Sequence, residues 1–271
     1  MPSLYVVATP IGNLEDISLR AIRILREVKL IAAEDTRRTK QLLSAYDIQA
    51  PLTSYHEHNK WTKLEYLLDY LKEESVALVC NAGTPGISDP GYELIVAAGQ
   101  RGIPVVPVPG PSAVIAALVV SGLPTDRFIY IGYLPHKAGS RRRLLRSVAG
   151  ESGTIVVLES PHRLLSALED IRLILGDRRI AVCRELTKFY EEVFRATVGQ
   201  AIEHFNEPRG EFTLVIEGKG ETVKPQLTEE IERQLQRMHQ SGMTAKEATS
   251  KMIRETGISK KVLYRAWLGF P

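Results

Sequence analysis

The sequence predicts an α/β protein made of two α/β domains and a small helical unit, on three observations. Short β-branched runs alternate with longer segments of helical period over the first 220 residues, the pattern of a largely parallel sheet covered by helices. A turn-rich break at Ser121-Gly122-Leu123-Pro124-Thr125-Asp126 splits that alternation into two stretches. After Gly218-Lys219-Gly220-Glu221 the β pattern stops and only helical periods remain. The expected domains are residues 1–124, 125–222 and 223–271.

In the first stretch, residues 4–9, 29–33, 76–81 and 104–108 carry the apolar, β-branched composition of strands. Between them, residues 18–28 set Leu19, Ile22 and Leu25 on one helical face, and residues 64–71 repeat Leu64, Leu67, Leu68 and Leu71. Pro111 is expected in the first turn of a further helix, where its missing N–H costs nothing. The second stretch offers strands at 128–132, 154–158, 179–183, 191–198 and 212–217. Its last two are joined by only a short helix around residues 200–205, so part of that sheet is expected to be antiparallel. Residues 228–240, 244–255 and 259–268 read as helices.

Composition narrows the classes. Hydrophobic residues are 44% and charged residues 25% of the 271, ordinary globular usage that excludes disordered, collagen-like and fibrous chains. The longest apolar run, residues 113–120, falls far short of the roughly 20 residues a membrane helix needs. With no basic segment at the N-terminus, a cytoplasmic location is expected. Cys80 and Cys183 each end a strand-like apolar run, so they are expected as buried free thiols. The net charge of +3 is too small to announce a nucleic-acid partner. Its distribution is more telling: residues 225–271 carry eight basic side chains against five Glu, and Lys137, Arg141, Arg142, Arg143 and Arg146 form a run with no acid between them.

Neither a dinucleotide-binding G-x-G-x-x-G nor a P-loop is present. Instead, Gly/Pro-rich turns directly follow strands: Thr9-Pro10-Ile11-Gly12-Asn13, Asn81-Ala82-Gly83-Thr84-Pro85-Gly86 and Pro109-Gly110-Pro111-Ser112-Ala113. In an open parallel sheet those strand ends line the ligand crevice, where small residues let a ligand approach the backbone. The same turns also serve an α/β fold with no ligand. His56 and His58, in Tyr55-His56-Glu57-His58-Asn59, lack a third ligand at metal-site spacing, so no metal is expected.

Eight ordered blocks carry a resemblance: Thr9-Pro10-Ile11-Gly12-Asn13-Leu14, Ala32-Ala33-Glu34-Asp35-Thr36-Arg37, Ala82-Gly83-Thr84-Pro85, Asp89-Pro90-Gly91-Tyr92, Pro109-Gly110-Pro111-Ser112-Ala113, Glu159-Ser160-Pro161-His162-Arg163, Arg184-Glu185-Leu186-Thr187-Lys188 and Gly210-Glu211-Phe212. Together they resemble the tetrapyrrole methylase superfamily of S-adenosylmethionine enzymes. Within it the likeness is to the branch that methylates a cytidine ribose 2′-hydroxyl in 16S rRNA of the small ribosomal subunit.

The resemblance implies two α/β domains with the cofactor in the cleft between them, and a homodimer. It implies cofactor contacts from Pro10, Asn81, Ala82, Gly83, Thr84, Ser112, Ala113, Leu158, Phe212 and Thr213. The superfamily usually has Asp before Ala-Gly-Thr-Pro; this chain has Asn81, which keeps a carbonyl acceptor without the charge.

Proton removal from the ribose hydroxyl calls for a base or an alkoxide-stabilising cation at the cleft. Glu34 and Asp35 follow one strand, and Glu185 and Lys188 follow another, so Lys188, Glu185 and Asp35 are the catalytic candidates. Arg37 and Arg184 are candidate phosphate contacts, as are Arg141, Arg142 and Arg143, which a helix would fan out along an RNA-tracking edge. Residues 244–265 have the helix, Gly-turn, helix spacing of a helix-turn-helix, with Lys260, Lys261 and Arg265 on the second helix.

Two other readings stay open on the sequence alone. One is C-methylation of a tetrapyrrole, which leaves the basic run and tail without a task. The other is a non-catalytic nucleic-acid binder, against which the cofactor turns stand intact apart from Asn81.

Overall fold

The computed structural model describes residues 1–220 and 227–270. The chain divides into two compact units, residues 1–219 and 220–271. The boundary expected at 222–223 lies outside the described residues.

The first sheet of the larger unit comprises β1 (Leu4–Val7), β2 (Leu30–Ala33), β3 (Leu52–Ser54), β4 (Val76–Val79) and β5 (Val105–Val108). Their order is β3-β2-β4-β1-β5, and every neighbouring pair is parallel. β2 and β4 are buried throughout, which is why they read as unbroken apolar runs. Successive residues still face opposite layers. Val7, Ile31, Ala33 and Val79 pack with α1 (Leu19–Glu27) and α2 (Thr36–Ala45), whereas Leu4, Leu30, Ala32 and Leu78 pack with α3 (Lys60–Tyr70) and α4 (Tyr92–Gln100). The sequence reading misses three of these elements. β3 is too short to show a period, and α2 and α4 bury only two side chains each, Thr39 with Leu43 and Leu94 with Ala98.

After β5 comes α5 (Ala113–Val120), opened by Ser112, whose Oγ accepts from the Ile115 N–H; Pro111 lies one residue before the cap rather than inside the first turn. The second sheet then follows: β6 (Phe128–Tyr133), α6 (Ala138–Ser147), β7 (Thr154–Glu159), α7 (Leu164–Leu175), β8 (Arg179–Arg184), β9 (Glu192–Thr197), α8 (Val198–His204) and β10 (Phe212–Ile216). Its order is β6-β7-β10-β8-β9, with only β6 and β7 parallel. Ile155, Val157, Val182 and Leu214 pack on one face with α6, α7 and α8. On the other face, Val156, Ala181, Cys183 and Val215 pack with Ala117 and Leu118 of α5. The helix that leaves the first sheet therefore covers the second, which ties the two sheets together.

The smaller unit holds α9 (Glu229–Gln240), α10 (Ala245–Thr256) and α11 (Lys260–Trp267) around its own core of Leu235, Met238, Ala248, Met252, Ile258, Leu263 and Trp267. A capping box between Thr244 and Glu247 starts α10, and Gly257 at φ +70° ends it in the left-handed conformation. Among the described residues, no helix is long and apolar enough to cross a membrane.

Candidate active site

Six chain segments meet at one end of the two sheets. From the first sheet come the turns after β1, β4 and β5. The first two are pinned to each other by paired Thr9 and Gly83 backbone hydrogen bonds, each 2.9 Å. From the second sheet come the ends of β7 and β8 and, because β10 runs antiparallel to both, the start of β10, where Thr213 stands opposite Leu158 and Cys183. Turn and sheet topology thus bring together residues up to 202 positions apart in sequence, Ile11 and Thr213.

Asn81, Ala82, Gly83, Thr84, Ser112, Ala113, Leu158, Phe212 and Thr213 line one pocket of about 270 Å³. Arg38, Ser88, Asp89, Tyr130, Tyr133 and Glu211 complete its wall. Pro10 lines the adjoining pocket with Gly12, Arg38, Lys188 and Glu211. Both Ala82 and Asn81 are shared by the two pockets, so the space is continuous. The Asn81 Oδ1 is buried on this wall with no hydrogen-bond partner, an arrangement that costs about 1–3 kcal/mol until a ligand donor meets it. The Asn81 N–H donates to the Glu34 carboxylate at 3.0 Å.

The loop after β8 closes the far side. It comes so near the first sheet that a Cβ on Gly12 would overlap Lys188 and Thr187, and the Thr187 hydroxyl accepts from the Asn13 N–H at 3.1 Å. Glu185 at φ +49° and Thr187 at φ +67° hold the tight turn this requires. The Lys188 Nζ lies 2.9 Å from Glu185 Oε1 and 3.0 Å from Glu211 Oε2, and the Glu211 N–H donates to Glu185 as well. Burial would lower the Lys188 pKa, but the hydrogen bonds to Glu185 and Glu211 outweigh it and raise the ammonium above its usual value. For Glu185, burial pushes the other way too, and the Lys188 and Glu211 donors more than reverse it, holding the carboxyl below its usual range. A lysine held protonated cannot accept a proton. Lys188 thus stands on the wall as a cation held by Glu185 and Glu211, and Glu185 is engaged as that cation's partner.

Asp35 and Arg37 bind each other rather than the pocket. Asp35 caps α2 by accepting from the Arg37 N–H at 2.9 Å, and the side-chain hydrogen bond from Arg37 depresses its pKa well below the carboxylate norm. The next residue, Arg38, lines both pockets. Sequence reasoning passed over it, since nothing in Thr36-Arg37-Arg38 tells which arginine a helix start turns inward.

The arginine row after β6 also separates in three dimensions. Arg141 is buried against Asp170 at 2.7 Å, so it is corrected from a phosphate contact to part of the fold. Arg142 reaches the same carboxylate at 2.6 Å, while Arg143 is exposed. Arg184 donates to the Arg209 carbonyl at 2.8 Å and pairs with Glu192 at 3.5 Å, outside the pocket wall. In the smaller unit, Lys260, Lys261 and Arg265 are all exposed on α11, whose buried residues are Leu263 and Trp267. The His56 and His58 rings are 6.0 Å apart. Among the described residues, no three His, Cys, Asp or Glu side chains gather as metal ligands do. Cys80 and Cys183 are both buried and free.

Comparison with known proteins places this arrangement. Residues 3–202 match the family described as tetrapyrrole (corrin/porphyrin) methylases. A protein of Halalkalibacterium halodurans named ribosomal RNA small subunit methyltransferase I is 47% identical over 98% of this chain and 94% of its own length. A Synechocystis protein of the same name is 46% identical over 98% and 97%. One from Thermotoga maritima, also so named, is 51% identical over its whole length but covers 81% of this chain. Among solved structures, diphthine synthase aligns with a TM-score of 0.62 at 15% identity, covering 80% of this chain and 90% of its own. A Thermus thermophilus uroporphyrin-III C-methyltransferase complexed with S-adenosylhomocysteine aligns at 0.58 and 22%, covering 82% and 98%. At those identities the structures speak for the fold.

Proposed function

This chain belongs to the tetrapyrrole (corrin/porphyrin) methylase family, and we propose that it transfers the methyl group of S-adenosylmethionine to a cytidine ribose 2′-hydroxyl of 16S rRNA in the small ribosomal subunit. The observation that carries this reading is similarity of 46–47% along nearly the full length of relatives named for modifying small-subunit ribosomal RNA. A homodimer working in the cytoplasm, where ribosomes are made, goes with the same reading.

The pocket suits the cofactor. Ala82 and Gly83 leave the backbone open to a flat ring, Leu158 and Phe212 give apolar surface, and the unpartnered Asn81 Oδ1 awaits a donor. S-adenosylmethionine, when bound, supplies a methyl carbon made electrophilic by its sulfonium. The protein's part is to hold the ribose oxygen in line with that carbon and to keep water out, positioning that can supply about 7–11 kcal/mol of a barrier. Arg38, on the wall of both pockets, is a candidate contact for a substrate phosphate, and the Lys188 cation shares the wall of the second pocket with it. Arg143, Lys260, Lys261 and Arg265 supply further phosphate contacts that set the orientation of the RNA without reading its sequence.

The test is transfer of labelled methyl from S-adenosylmethionine, offered in parallel to small subunits lacking the modification, to protein-free 16S rRNA and to a reduced tetrapyrrole. Label in a cytidine ribose of the subunit is the expected result. Label in the tetrapyrrole alone overturns the reading.

A further inference from the structure

We propose that Asp89 is the catalytic base of this site, taking the 2′-hydroxyl proton as the ribose oxygen is methylated. The inference rests on the methyl-transfer reading above. In the step, the oxygen gains the methyl carbon, the carbon–sulfur bond of the sulfonium breaks with its electron pair left on sulfur, and the hydroxyl proton passes to the Asp89 carboxylate, from which water removes it after release.

Geometry singles Asp89 out among the carboxylates of the cleft. Glu185 and Glu211 both hold Lys188, and Asp35 holds Arg37. The side chain of Glu34 is turned to the Asn81 N–H. Asp89 lines the pocket beside Asn81 and Ser112, and unlike Glu185, Glu211 and Asp35 it is in no ion pair among the described residues. Its loop is held in place from the second sheet: Ser88, immediately before it, adopts φ +63°, and its Oγ lies 2.5 Å from the Tyr130 hydroxyl of β6. A serine in that conformation is strained, and such strain persists where surrounding structure enforces it.

The groups around Asp89 are Glu34 after β2, Cys80 after β4, Tyr130 and Tyr133 on β6, and, on the same pocket wall, Arg38 of α2 and Glu211 before β10. Burial first and the Glu34 charge second push the Asp89 carboxyl up to about 6, against a smaller pull downward from the Cys80 thiol. A base so tuned is mostly ionised at neutral pH yet basic enough to share a proton in the transition state.

The experiment compares wild type, Asp89→Asn and Glu34→Gln as full chains on small subunits. It reads S-adenosylhomocysteine affinity by calorimetry and single-turnover methyl transfer against pH at saturating cofactor. Wild type should gain rate up to about pH 6 and then level off. Asp89→Asn should bind S-adenosylhomocysteine within about threefold of wild type and lose roughly 10²- to 10³-fold in rate, the ordinary worth of a general base. Glu34→Gln, which keeps the base and removes the neighbouring charge, should move the acid limb to lower pH. Asp89→Asn transferring at the wild-type rate overturns the assignment. So does an Asp89→Asn defect confined to cofactor affinity, which would make Asp89 a counter-charge, and so does an acid limb unmoved in Glu34→Gln. Wild type that binds S-adenosylhomocysteine but labels no ribose overturns the methyl-transfer reading, and this assignment with it.

Discussion

The two walls of the cleft handle charge in opposite ways. On the wall from the second sheet, Lys188 sits between Glu185 and Glu211 at 2.9 and 3.0 Å, so each of these charges has an opposite partner within the fold. On the wall from the first sheet, Asp89 faces the pocket in no ion pair among the described residues, with the like charge of Glu34 acting on it, and Asn81 leaves a buried oxygen unmatched. Matched charge secures the protein; unmatched charge is what a ligand or a reaction can use. The contrast teaches that a cluster such as Arg184-Glu185-Leu186-Thr187-Lys188, rich in catalytic residue types, can be structural, while a single Asp in a Gly/Pro-rich turn holds the free charge.

If matched charge secures the fold, removing one partner should cost stability, and most where the pair is most buried. Removing both of its arginines, Arg141→Ala together with Arg142→Ala, strands the Asp170 carboxylate, only 4% exposed, and should lower unfolding free energy by about 3–5 kcal/mol in a urea titration. Arg143→Ala, at an exposed position of the same helix, should stay within about 0.5 kcal/mol. A double variant as stable as wild type would break the rule at its strongest point.

A smaller effect is expected on the cleft wall itself. Lys188→Met leaves Glu185 without its cation and should cost about 1–3 kcal/mol, with the Glu185 carboxyl rising toward and past its usual value. A loss of methyl transfer with no change in stability would instead return Lys188 to the chemistry.

A further effect has the opposite sign. The Asp89 carboxyl stands at about 6 in the folded protein against an ordinary 3.8, so the folded state binds its proton more tightly than the unfolded chain does. That contribution to stability is complete below about pH 4 and is lost as pH rises through about 6. Asp89→Asn has no such loss, so its Tm relative to wild type should climb between pH 4 and pH 7. A pH-independent difference would mean that Asp89 is solvated after all.

Much of the fold could be read from the sequence because burial writes itself into composition. The unbroken apolar runs of β2 and β4 and the Leu67, Leu68 and Leu71 spacing of the α3 region required that they be covered. β3 escaped because three residues carry no period, and α5 was grouped with the first domain because only the tertiary fold sends it onto the second sheet. At the site, the Gly/Pro-rich turns were visible because close approach demands small residues. Partnership was not: whether Arg37 or Arg38 faces the cleft, and whether Arg141 meets RNA or Asp170, depends on contacts 28 or more residues away or on the direction a helix start takes. Asp89 was in view within Asp89-Pro90-Gly91-Tyr92 but carried no mark to set it apart from a turn residue.

The difference between the walls can be measured without substrate, by following the side-chain carboxyl carbons of Asp89 and Glu185 by NMR through a pH titration of the free protein. The account predicts a midpoint near 6 for Asp89 and one below the ordinary 4.5 for Glu185. An Asp89 midpoint at the ordinary 3.8, or two carboxyls that titrate together, would contradict it.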